Sequence, residues 1–457
     1  MRRFIACLLP GLMLALASAH ADTLQLDAAK AVELALANPK VVQLARAKIE
    51  DAAAGKGVTF GSFLPQVSAS GTYTRLGTVN SFPMAKYGLF PLRVYDPQTG
   101  NVIGYTDSVP VVVGADTLEL GSANNMALTG TVQQTLFTWG KLINAYRIAG
   151  LNLDMTIEGV RQARSQLRVD ATSAFYQALL ARKTVEVMND ALGQLKGHIA
   201  QVQSLYDNGM ATKLDLMKAT LGLQQMEAQV SQIEGGTELA LAALLNTLGV
   251  EPGTPVSFVE DLAPDSMAVE LDSVQAQALE HRPELKQLRD AVKMSELGVA
   301  IARTANLPTA FAQANGYYKN PVGFAAGWGT DWNVTAGISM PLFTGMSNAS
   351  RLRQSQARVR QAKVGLAMAE DGIRLDVQAS VLALNQEARN RAYQQKNVEV
   401  ADAALGLAEQ RFQNGLLTNL DYMDSQLALT QSRIAYLNAL VNYRVARARL
   451  EKAVGEY

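Results

Sequence analysis

Cysteine is all but missing. Cys7 is the only one, and it lies in an N-terminal stretch that reads as a leader. An exported chain without disulfides depends on packing or assembly for its stability. Histidine is scarce as well. His20 falls in the same leader, and His198 and His281 stand isolated along the sequence. There is no H-E-x-x-H pair, no phosphate-binding loop and no catalytic-serine elbow, so neither an enzyme nor a bound cofactor is expected. Surplus charge is also absent. Once Arg2 and Arg3 leave with the leader, the 41 basic residues of the whole chain fall two short of its 41 acidic ones. Nothing basic is left over to attract nucleic acid. After Ala21 no run approaches the about 18 apolar residues of a membrane helix, so any entry into a bilayer must use strands.

The leader has a charged start (Arg2, Arg3), an apolar run from Phe4 to Ala17, and Ala19-His20-Ala21 as a cleavage site. Residues 1–21 therefore read as a secretory signal peptide. A membrane anchor is the alternative, but the run is short for spanning. Cys7 sits inside the run, which is the wrong place for a lipid-bearing cysteine, so no lipid anchor is expected.

The mature chain contains itself twice. Leu205-Tyr206-Asp207-Asn208-Gly209-Met210-Ala211-Thr212-Lys213-Leu214-Asp215 returns 206 positions later as Arg411-Phe412-Gln413-Asn414-Gly415-Leu416-Leu417-Thr418-Asn419-Leu420-Asp421. Leu136-Phe137-Thr138 returns at Leu342-Phe343-Thr344 with the same offset. Upstream, Asn38-Pro39 and Leu64-Pro65 answer to Arg282-Pro283 and Leu307-Pro308, with offsets of 244 and 243. The first half thus carries extra residues between Leu64 and Leu136. The constant offset of 206 between the Leu-Phe-Thr and Asn-Gly landmarks implies two halves that must match in reach. The expected organisation is a first repeat over 22–248, an irregular connector over 249–270 carrying Pro252, Pro255 and Pro264, and a second repeat over 271–457.

Each repeat contains a helix too long for an ordinary domain. No proline occurs from Gly140 to Asp207, and a seam runs at alternating steps of four and three from Leu167 through Ala178, Met188 and Leu195 to Tyr206. That is the coiled-coil period, and the span corresponds to roughly 100 Å of helix. Shifted by 206, the seam meets Glu387, Arg391 and Gln394. Either the packing frame shifts there or that stretch faces water, inside a wet passage or on an outer surface. Each long helix should end at its Asn-Gly, Asn208-Gly209 or Asn414-Gly415. Thr212 and Thr418 should cap the return helices, with Asp215 and Asp421 as box partners. Shorter leading helices at about 27–62 and 272–306 are broken by Pro39 and Pro283.

Four stretches then alternate with a period of two. They are Gln66–Thr74, Asn124–Gln133, Ala312–Tyr318 and Asp331–Met340. One face is apolar or small and the other carries hydroxyls and amides. A soluble sheet would bury the first face, and a transmembrane barrel would turn it to lipid. Four strands cannot close in lipid, where open edges cost several kcal/mol per unpaired group. Eight strands leave an interior filled by side chains and twelve leave room for a lumen, which favours three copies over two. The first repeat's loop, about Leu76 to Gly121, holds a small extra hairpin around Asp96–Asn101 and is placed outside the cell.

The duplicated strand pairs, the long helical hairpins, the two Leu-Phe-Thr signatures and the two Gly-x-x-Thr-x-x-Asp tips together resemble the TolC family of outer-membrane efflux proteins, over essentially the whole mature chain. The resemblance implies an α+β membrane protein in which coiled-coil hairpins join four strands of a trimeric 12-stranded transmembrane β-barrel. It implies a homotrimer in the lipid of the outer membrane, extending into the periplasm and engaging a periplasmic adaptor. An inner-membrane transporter, proton-driven or ABC, supplies the energy, and drugs or secreted substrates leave passively. Asp421 and Asp424 match aspartates that ring the closed periplasmic aperture, and Asp215 matches an acid held by the gate. Each also has a plain role near a helix N-terminus. Phe412 and Leu417 stand where the best-known gate has a hydroxyl-bearing aromatic and a base, so no locking bonds carry over. Gly209, Met210, Gly415 and Leu416 match the adaptor-docking tips, although helix termination also explains the glycines. The competing expectation is a periplasmic coiled-coil structural or adaptor protein that never spans.

Overall fold

The computed structural model describes residues 23–119, 121–262, 269–323 and 327–456. The expected signal peptide, 1–21, lies outside the described residues, as does part of the connector. The first repeat runs β1 (Leu24–Leu26), α1 (Ala28–Ala37), α2 (Pro39–Gly61), β2 (Gln66–Arg75), β3 (Ser81–Tyr95), β4 (Val102–Glu119), β5 (Asn124–Phe137), α3 (Lys141–Asp207) and α4 (Lys213–Leu248). The connector carries a three-residue strand, β6 (Val256–Phe258), within the stretch expected to be irregular. The second repeat runs α5 (Leu271–His281), α6 (Pro283–Arg303), β7 (Thr309–Asn320), β8 (Gly329–Ser339), α7 (Ser347–Gln413) and α8 (Asn419–Val454). Helices α3 and α7 are both 67 residues long, and α4 and α8 are both 36.

The chain divides into two compact units, and each draws on both repeats. Among the described residues the first comprises those of 23–52, 151–293 and 360–456, and the second those of 53–150 and 294–359. In the first unit the leading helices pack on the long ones. Leu26, Ala31, Ala35, Phe175, Leu179 and Leu244 form one buried cluster, and Leu285, Val377, Leu384, Tyr443 and Leu450 belong to another. Burying each such large side chain contributes about 1.5–3 kcal/mol. Strand β6 pairs parallel with β1, and Glu260 just beyond it accepts from Ala28 N at 3.0 Å and from Tyr176 Oη at 2.7 Å. The connector thus clamps α1 to α3. Burial, with the Glu260 bond next, pushes the Tyr176 hydroxyl pKa upward. Gly249 closes α4 at φ 72°, and a side chain there would strike Asn38.

The α7 seam keeps its frame. Ile373, Val377 and Leu384 are buried, and Glu387, Arg391 and Gln394 are half-buried on the same side. Neither the frame shift nor the fully wet face occurs. The Arg391 guanidinium lies 4.7 Å from the Tyr443 ring centroid, so a long side chain covers apolar surface there and keeps its charge satisfied.

In the second unit β2, β5, β7 and β8 form one antiparallel sheet in the order β2-β5-β7-β8. Register aligns Ser68, Thr131, Asn315 and Asn333 in one rung and Val67, Val132, Ala314 and Val334 in the next. The polar rungs are tied together. Thr131 Oγ1 donates to Asn315 Oδ1 at 2.9 Å, and Asn315 Nδ2 donates to Asn333 Oδ1 at 2.9 Å. The apolar rungs are bare, with Val67 and Ile338 near three-quarters exposed and Leu128 and Val334 also exposed. In β5 the half-buried residues include Asn125, Thr129 and Thr131, whereas Met126, Leu128 and Val132 are exposed. A sheet folded for water would have this the other way round.

The inserted hairpin is far larger than expected. Strands β3 and β4 are 15 and 18 residues long, paired to each other as a separate two-stranded sheet. Pro83, Pro91 and Pro110 lie within them. A two-stranded ribbon has two free edges, where a missing N–H costs nothing.

Candidate functional site at the hairpin tips

Both tips form by the same backbone chemistry. At the first, Gly209 takes φ 77°, Gly209 N donates to Tyr206 O and Met210 N to Leu205 O. At the second, Gly415 takes φ 69°, Gly415 N donates to Phe412 O and Leu416 N to Arg411 O. These are paired helix-closing bonds around a left-handed residue, which glycine adopts without a Cβ clash. They leave Met210 and Leu416 at 70% and 75% exposure, one apolar side chain at the turn of each hairpin.

The caps differ. Thr212 and Asp215 complete a reciprocal box. Asp215 N donates to Thr212 Oγ1 at 3.2 Å, while Asp215 Oδ2 accepts from Thr212 N at 3.1 Å and from Thr212 Oγ1 at 2.6 Å. The Thr212 hydroxyl, chiefly, holds the Asp215 carboxyl below the usual aspartate range. At the second tip Thr418 caps Asp421 N and its hydroxyl donates to Asp421 Oδ2 at 2.6 Å. Asp421 and Asp424 are exposed in the first turn and a half of α8, three residues apart and so on one face. Asp424 borders a groove between α4 and α8, where Met423 fills the notch left by Gly222.

The α4 and α8 N-termini meet at Asn419. This side chain is 5% exposed. Its Nδ2 donates to the Asp215 backbone carbonyl at 3.1 Å, and its Oδ1 lies 2.6 Å from His198 Nε2 on α3. The imidazole stacks on Tyr422 with ring centroids 3.9 Å apart, and Phe412 tilts against it at 4.7 Å. Below this, Gln426 Nε2 donates to Ala191 O at 2.9 Å. Burial depresses the His198 pKa and lifts that of the Tyr422 hydroxyl.

His198, Asn419, Tyr422 and Gln426 were not visible as a group in the sequence. His198 looked isolated, and its contact with Asn419 spans 221 residues. It sits one position before the seam residue Ile199, which was the only available signal. Among the described residues no cluster of three acidic, histidine or cysteine side chains is arranged to hold a metal.

The family described as outer membrane efflux protein matches residues 31–250 and 274–456. The chain is 23% identical over 356 residues to the outer membrane efflux protein BepC of Brucella suis, covering 76% of this chain and 77% of that one. The Campylobacter jejuni CmeC outer membrane channel superposes with a TM-score of 0.72 at 17% identity, over 94% of this chain and 85% of that one. VceC, an outer membrane protein of Vibrio cholerae, gives 0.68 at 19% identity, over 94% and 96%. With the bare apolar rungs, the duplicated tips and a family match over most of its length, the chain belongs to the outer membrane efflux protein family.

Proposed function

We propose that the protein works as a homotrimer, the outer-membrane exit duct of a tripartite efflux or type I secretion system. The observation that carries this reading is the inverted sheet: tied amide and hydroxyl rungs on one face, bare apolar rungs on the other. Lipid on the apolar face and a wet lumen on the polar one satisfy both. Strands β2 and β8 each keep one unpaired edge. In lipid these edges pair with those of sister chains, and three copies supply twelve strands. A second apolar stripe on α7 supports the same assembly. Val364, Met368, Leu375 and Leu382, then Val400 and Leu407, are exposed at steps of four and seven, as a coiled-coil partner helix requires.

In this trimer Asp421 and Asp424 contribute six carboxylates about one axis at the periplasmic aperture, a ring that attracts cations. The exposed Met210 and Leu416, turned out by Gly209 and Gly415, offer the apolar contacts for a periplasmic adaptor. An inner-membrane transporter, proton-driven or ABC, drives the cargo, and this chain conducts it passively.

Purified protein should run as a trimer in detergent and pass ions across a planar bilayer. Asp421→Ala with Asp424→Ala should lower cation selectivity, and unchanged selectivity removes the pair from the aperture. A monomeric, bilayer-silent protein released from membranes by carbonate is the outcome expected of a non-spanning periplasmic coiled coil.

A further inference from the structure

The tip chemistry fixes a protonation state. The Asp215 carbonyl can only accept, so the Asn419 amide must present Nδ2 to it. Asn419 Oδ1 then faces His198 Nε2, and between two acceptors no bond forms, so Nε2 carries the proton. A neutral imidazole has one N–H, which leaves Nδ1 bare. Nδ1 is buried and has no hydrogen-bond partner. A second proton would arrive at that nitrogen, placing an unpaired donor and a positive charge in a pocket closed by Phe412 and Tyr422.

We propose that His198 is a proton-released pin: its neutral Nε2–H form holds Asn419, which ties the second tip to the first, and protonation at Nδ1 lets the tips part. The inference rests on the exit-duct reading for its consequence, but the pin is a property of a single chain. Any widening that moves the start of α8 away from α3 and α4 has to break the Asn419 bonds. The pin thus occupies the role left vacant where Phe412 and Leu417 offer neither a hydroxyl nor a base.

The titratable and charged groups facing this point are few. Glu409 comes from α7 and favours the protonated ring, against the larger effect of burial. Tyr422 comes from α8, where Asp421 is engaged by Thr418. Asp215 comes from α4 with its carboxylate turned back to Thr212. On His198's own helix, Lys196 is drawn to Glu227 at 3.4 Å. The sign follows. A histidine with a depressed pKa in the tied tip binds fewer protons there than in the loosened one. The tie is therefore at full strength above the ordinary histidine value of about 6.5 and weakens as pH falls through it and on through the lowered value.

The test uses the full mature chain and His198→Gln, which keeps an N–H donor for Asn419 and cannot take up a proton. Between about pH 7.5 and about pH 5.5, bilayer conductance of the parent should rise severalfold, and that of His198→Gln should stay level apart from any slope common to both. Once exchange rates are corrected for their intrinsic pH dependence, amide protection over 414–424 should fall severalfold in the parent alone. Histidine-selective 15N spectra should show the Nε2–H tautomer at His198 at neutral pH, with His281→Asn assigning the other signal. An Nδ1–H tautomer, or equal acid responses in both proteins, overturns the pin. If the exchange and tautomer results hold but no current flows at any pH, the pin stands and the duct reading fails.

Discussion

The two hairpin tips share a backbone and differ in what their side chains do with it. Position for position, Lys213 answers to Asn419, Leu216 to Tyr422, Lys218 to Asp424 and Tyr206 to Phe412. Lys213 and Lys218 are exposed at the first tip, whereas Asn419 and Tyr422 are buried at the second. His198 has Ala404 as its counterpart, which is exposed. The two tips thus share the turn, the cap and the helix lengths, and only the second is a plug seated in the crook of the first hairpin. Geometry that depends on φ is copied, and chemistry that depends on a neighbour is not.

The largest effect should come from Asn419→Leu. It strands the buried His198 Nε2–H, which costs about 1–3 kcal/mol, and removes the Asn419 bond to the Asp215 carbonyl. Exposed Lys213→Leu should stay within about 0.5 kcal/mol. Protease cleavage rates at the two tips will separate these, and equal rates would mean that the second tip is no better seated than the first. Next in size, Gly209→Val and Gly415→Val should each cost about 1–2 kcal/mol, because both positions are left-handed. Equality here, read from denaturant midpoints, supports backbone equivalence, and a large difference breaks it.

Smaller again is the cap. Thr212→Ala and Thr418→Ala should each cost about 1 kcal/mol by helix-end hydrogen exchange, with Thr212 the larger because its box is reciprocal. The smallest is acid fraying of the first tip. The Asp215 carboxyl sits below its ordinary value, so its stabilisation is complete above about pH 4 and is lost as pH falls through its lowered value. Asp215→Asn should remove that response and leave the higher-pH response of His198 intact.

Much of the fold was legible because it is written in local or periodic signals. The strand-to-helix joints appear as Leu-Phe-Thr, the tips as Asn-Gly and the caps as Thr-x-x-Asp, and each needs only a few adjacent residues. Even so, the joint hides a detail. Trp139 and Gly140 have positive φ in one copy, Gly345 and Met346 in the other, so the glycine fills opposite members of the same left-handed pair. Trp139 gains from its position a hydrogen bond from Nε1 to Pro308 O at 2.7 Å. The β3–β4 ribbon exceeds the small hairpin expected around Asp96–Asn101, and its prolines are tolerated because a two-stranded ribbon has free edges. The buried tie escaped for another reason: Asn419 looks like an ordinary first helical residue until α3, far off in sequence, lies against it.

Helices of 67 and 36 residues, matched in both copies, act as a ruler. Seven residues added to α3 alone would carry its end about 10.5 Å past α7 and pull Asn419 off its partners. Seven added to all four helices would leave every knob facing its hole and both turns level. An envelope of different depth can thus be fitted by whole heptads inserted four at a time, whereas a single-helix change tears the tips apart.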